Sequence, residues 1–192
     1  MMRRLRYLGL KWRAMAHLVL ERRAAALALF EQMLREFPGD EYALASRAHL
    51  LAQTGERAAA LRAMEQLLQA YPEAANHWFN YGFLLEEAGD FQRAEGAFRR
   101  ATELAPKLDR AWYGLGLVLI RLGRLDDAVA ALKRNTQLQP MSPYGWYQLA
   151  RVHVDRHEPE EARKIIRHLH RFEPKVAAQL ERETGLLVEQ PG

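Results

Sequence analysis

Histidines, adjacent glutamates, two serines and two closely spaced glycines are the residues with which this chain could do chemistry. His153 and His157 stand four residues apart, a spacing that puts two imidazoles on one helix face for a zinc ion. No third ligand stands near them, so no metal site is expected. His168 and His170 are two apart and diverge onto different helix faces. Glu86 and Glu87 are adjacent and splayed, whereas paired acid–base catalysis needs converging groups. Ser46 and Ser142 lack the elbow motif of a hydrolase nucleophile. Gly114 and Gly116 open like a dinucleotide fingerprint, but no third glycine follows at the required spacing. Close helix packing is the simpler use for both. Cysteine is absent, which removes disulfides, thiolate catalysis and iron–sulfur ligation together. The expectation is a protein with no catalytic residues, no metal and no cofactor.

Composition bounds the rest. The 192 residues suffice for one sizeable core, and 49% hydrophobic against 27% charged is a globular balance. The net charge of +4 is unevenly spread. Residues 1–23 carry seven basic side chains against Glu21 alone, leaving 21 basic and 23 acidic groups in the remainder. A near-neutral body makes nucleic acid an unlikely partner. No stretch is apolar enough to span a bilayer, and Lys11, Arg13 and His17 interrupt the opening residues too often for a secretory signal. A cytoplasmic location is expected. The excess of 23 arginines over 5 lysines points to a GC-rich bacterial genome.

The elements come from an internal repeat. Pro38, Pro72, Pro106, Pro140 and Pro174 recur every 34 residues, as do Ala26, Ala60, Ala94, Ala128 and Ala162. Trp78, Trp112 and Trp146 keep the same period, and so do Gly55, Gly89 and Gly123. Five segments result: 7–40, 41–74, 75–108, 109–142 and 143–176. In the third, Trp78, Tyr81 and Leu85 have helical spacing, Gly89 suits a left-handed turn, and Asp90 can cap a second helix bearing Ala94, Ala97, Phe98 and Ala101. Pro106 ends that helix. Each segment therefore predicts two antiparallel helices. Burying a Trp removes about 150–250 Å² from water, a gross gain of ~4–6 kcal/mol.

These segments resemble the tetratricopeptide repeat, with Trp78, Tyr81, Gly82, Leu85, Ala94, Phe98, Ala101 and Pro106 carrying the closest match. The fourth departs at Asn135, where an alanine is usual, and the fifth at His157, where glycine is usual. The resemblance implies an all-α, right-handed superhelical solenoid of five antiparallel helix pairs. Residues 1–6 form a basic extension, and 177–192 hold a capping helix and short tail. In that cap, over residues 175–184, Ala177, Ala178 and Leu180 are expected to face the last repeat, with Gln179, Glu181, Arg182 and Glu183 in solvent.

In such a stack the first helices of the repeats line a concave groove. The residues opposite the packing slots are Tyr42 and His49; Asn76, Phe79, Phe83 and Glu86; Arg110, Tyr113, Leu117 and Arg121; and Tyr144, Tyr147 and Arg151. Aromatics with arginines are the side chains of interaction hot spots, although the same aromatics can instead cover neighbouring helices. The expected function is a non-catalytic scaffold or adaptor holding a partner peptide or helix. The lysine and asparagine clamp of relatives that capture acidic chaperone tails is incomplete, since Met15 stands where an asparagine is needed after Lys11.

A second surface is expected on the first helix. Leu5, Leu8, Trp12, Met15 and Val19 form an apolar stripe, while Leu10 and Ala14 are needed inside the repeat. The stripe has four open readings: homo-oligomerisation, docking of another protein, peripheral contact with an anionic membrane, or coverage by the fold itself.

Overall fold

The computed structural model describes residues 2–188. Met1 and residues 189–192 of the expected tail lie outside them. The described residues form eleven helices and no strand. The chain divides after Gly89 into two compact units, inside the third repeat rather than at a repeat boundary.

The first unit holds α1 (Met2–Val19), α2 (Arg23–Glu36), α3 (Glu41–Gln53), α4 (Arg57–Ala70) and α5 (Ala75–Glu87). Each helix packs on the next. Residues 2–6 are the opening turns of α1 rather than a separate extension. Leu10 and Ala14 of α1 are buried with Ala26, Phe30 and Met33 of α2. Asp40 caps α3 by accepting from the Ala43 N–H at 2.8 Å.

The second unit holds α6 (Phe91–Leu104), α7 (Asp109–Arg121), α8 (Leu125–Leu138), α9 (Pro143–Asp155), α10 (Pro159–His170) and α11 (Pro174–Thr184). Successive helices pack together, and α9 also touches α7 and α11. Asp90 caps α6 through the Arg93 N–H at 3.2 Å. Pro143, Pro159 and Pro174 each start a helix, where the missing N–H costs nothing. Proline at 174 thus opens α11 instead of ending α10.

The period is written into backbone and packing alike. The turn positions 21, 55, 89, 123 and 157 all have positive φ, from Glu21 at 54° to Gly55 at 81°. The five register alanines are fully buried. Trp78, Trp112 and Trp146 are half-buried, and their indole N–H groups donate to the carbonyls of Pro72, Pro106 and Pro140 at 2.7, 3.0 and 2.9 Å. Each Trp therefore pins the loop six residues before it as well as filling a slot. Gly114 and Gly116 are packing glycines: a Cβ at either would stand 2.7 Å from Phe98 or Leu132. The departure at Asn135 is accommodated by Gly145 on α9, because a Cβ there would overlap the Asn135 Oδ1. One repeat earlier the same two positions are Ala101 and Ala111, both fully buried.

Candidate functional site

Of the histidines with ligand-like spacing, His153, His168 and His170 are held within the fold. His153 is buried, and its Nδ1 stands 2.7 Å from Glu158 Oε2. His157 lies exposed in the turn at φ 60°, so the two rings do not converge. His168 packs on Trp146 with ring centroids 4.5 Å apart. His170 Nε2 lies 3.3 Å from Glu181 Oε1, at an angle that makes no hydrogen bond. Among the described residues no three His, Cys, Asp or Glu side chains group as metal ligands.

The expected groove residues separate into two walls, one in each unit. In the first, His49, Phe79 and Phe83 line a cavity of about 580 Å³ between α3, α4 and α5. Ala45, Ala52, Met64, Leu67 and Leu84 complete an apolar floor. Gln53, Asn80 and Glu87 supply a polar rim, with the Gln53 amide 2.9 Å from His49 Nε2. Phe83 is 48% exposed, a large apolar cost to leave in water on a folded surface. Tyr42 is not part of this cavity. It packs edge-to-face on Phe30 at 5.8 Å and lies under the Lys11 ammonium at 4.2 Å. Asn76 is exposed and Glu86 half-buried, both outside the cavity.

In the second unit Tyr113, Tyr144 and Tyr147 share a shallower cavity of about 280 Å³ with Pro143, Gln148, Val176 and Gln179. Tyr147 donates its hydroxyl to Glu183 Oε2 at 2.5 Å. That bond, reinforced by the Gln179 amide, holds the Glu183 carboxyl below its usual pKa. Arg151 lies 5.8 Å from the Tyr147 ring centroid, and its hydrogen bond to that hydroxyl raises its own pKa. Arg110 and Arg121 are exposed, and Leu117 is half-buried; none of the three lines this cavity.

The last helix departs from expectation. Gln179, Arg182 and Glu183 of α11 are exposed as expected, but Gln179 and Glu183 also flank the tyrosine wall, and Glu181 is half-buried beside His170 instead of facing solvent. Met64 and Leu67 were also not foreseen as lining. Their three-residue spacing on α4 reads as core, and both are buried, so the cavity rests on core side chains that no sequence signal sets apart.

On α1 the stripe is uncovered. Leu5, Leu8, Trp12, Met15 and Val19 are all exposed, while Leu10 is 4% exposed and Ala14 is fully buried.

A tetratricopeptide repeat family model matches residues 45–109 and 84–143, together just over half of the chain. No curated protein sequence matches. Among solved structures, the chain is similar to MamA at 16% identity and a TM-score of 0.81, covering 95% of this chain and 97% of that one. It is similar to YrrB, described as a protein of this repeat with an unusual peptide-binding site, at 19% identity and 0.77, covering 88% of each chain. PilF of Pseudomonas aeruginosa aligns at 20% identity and 0.71, covering 96% and 95%. At such identities these likenesses speak for the fold.

Proposed function

The chain belongs to the tetratricopeptide repeat family, and from that premise we propose that it is a non-catalytic adaptor whose first unit seats a short partner segment between α3 and α5. Proteins of this family are protein-interaction scaffolds, and YrrB carries a peptide-binding site on the same fold. The observation that carries the reading is the cavity of about 580 Å³ with Phe79 and Phe83 in its wall. Its volume has room for more than one side chain, its apolar floor favours a bulky apolar residue, and Glu87 on the rim favours a lysine or arginine beside it. The tyrosine wall of the second unit offers flatter, hydroxyl-bearing contacts. Ordering a flexible segment offsets much of the gain, so affinity is set at about micromolar. Its place of work on this reading is the cytoplasm.

Selection from a displayed random-peptide library tests this. Enriched peptides should share a bulky apolar residue next to a cation. Phe83→Asp should abolish their binding, and Glu87→Lys should remove the preference for the cation. Peptides that bind Phe83→Asp as well as wild type would place recognition elsewhere and end this reading.

A further inference from the structure

The apolar stripe of α1 is used by nothing in the repeat packing. Ala14 is fully buried, whereas Leu5, Leu8, Trp12 and Val19 on the opposite side are 59%, 38%, 66% and 82% exposed. At about 100° per residue they share one arc of the helix. Arg4 and Lys11 border one edge of that arc, Arg13 stands about 80° past the other edge beyond the small residues Gly9 and Ala16, and Arg22 and Arg23 follow just beyond its end. The helix carries five Lys or Arg and no Asp or Glu. Arg6 is bound to Glu36 at 2.6 Å, Arg3 lies over Phe37, and Lys11 lies over Tyr42. Arg4, Arg13, Arg22 and Arg23 remain exposed around the stripe.

Charge selects the occupant. A second copy packed stripe to stripe would bring two such cationic borders within a Debye length, where they repel. An anionic lipid surface satisfies both features at once, taking apolar side chains at the acyl boundary and guanidiniums at the headgroups. Trp12 has the amphipathic ring that suits this depth. No helix among the described residues is long and apolar enough to cross a membrane, so α1 would lie along the surface. We propose that α1 docks the protein on anionic lipid through Leu5, Leu8, Trp12 and Val19, with Arg4 and Arg13 on the headgroups. This surface is separate from the peptide cavity and stands or falls independently of it.

Flotation of the full chain tests the proposal. It should rise with vesicles of equimolar phosphatidylcholine and phosphatidylglycerol, stay behind with phosphatidylcholine alone, and lose binding as salt is raised. Each cation near such a surface strengthens binding about fivefold, so Arg4→Glu with Arg13→Glu should weaken it by at least about 25-fold. Leu8→Glu with Trp12→Glu should abolish it. Bromine-labelled lipid should quench emission in wild type and not in Trp12→Phe. An unchanged circular dichroism melt for each variant shows that the fold survives. Equal flotation with both lipids, no flotation with either, or indifference to these substitutions overturns the proposal. A dimer by sedimentation that Leu8→Glu with Trp12→Glu dissociates would assign the face to a second copy and overturn it as well.

Discussion

Asn135 and Gly145 form a matched pair, because the asparagine occupies the space that a Cβ at 145 would need. Asn135 is 5% exposed and its amide donates to the Asp109 carbonyl at 2.9 Å, so it cannot swing away freely. Gly145→Ala alone should destabilise by about 1–3 kcal/mol despite the better helix propensity of alanine. With Asn135→Ala added, the loss should shrink, leaving a coupling of about 1–3 kcal/mol in a urea-unfolding double-mutant cycle. Additive effects would refute the pairing. Glu21 presents the opposite case. It holds a positive φ of 54° that its register partners Gly55, Gly89 and Gly123 adopt without a Cβ penalty. Glu21→Gly should therefore stabilise by about 1 kcal/mol, raising Tm by ~2–4 °C. Loss of the indole donor in Trp146→Phe should cost about 1–2 kcal/mol by urea titration, since the Pro140 carbonyl loses its partner while a ring remains beside His168.

At the scale of the helix, α11 acts as the first half of a further repeat. Leu180 takes the slot filled by Trp146 one period earlier and is fully buried. Leu180→Ala should cost about 2–5 kcal/mol, read from denaturant unfolding. The same helix ties α9 through Tyr147 and Glu183. Because the folded carboxyl titrates below its usual value, this contribution is present above the unfolded carboxylate range and is lost as pH falls through the depressed folded value. Tyr147→Phe should lower Tm modestly in the neutral region and leave the acid end little changed, which flattens the acid limb of Tm against pH. Much of this level was legible beforehand. The 34-residue period located the helix pairs, and helical spacing divided Leu10 and Ala14 from the stripe on the far side of α1. The groove was less legible, because partners across the fold decide it. Tyr42 has the register of a lining residue, yet Phe30 and Lys11 claim its ring. Glu183 reads as a solvent residue and is one, but its bond to the Tyr147 hydroxyl on α9 leaves no mark in the sequence.

At the scale of the molecule, the chain divides after Gly89 and each unit carries its own core. Repeat arrays gain stability from neighbours rather than from one shared interior. Phe98→Ala should therefore speed amide exchange in α6, α7 and α8 while α1, α2 and α3 keep their protection, as read by hydrogen exchange with mass spectrometry. Equal loss everywhere would mean a single cooperative block. The repeats also preserve a record. The Ala101 and Ala111 pair sits one period before Asn135 and Gly145 and shows what that site holds without an asparagine. Starting from two alanines, asparagine first would collide with the Cβ at 145, whereas glycine first costs only about 1 kcal/mol of helix propensity. From a pair of alanines the passable mutational route thus has a direction: the methyl group on α9 goes before the amide on α8 arrives.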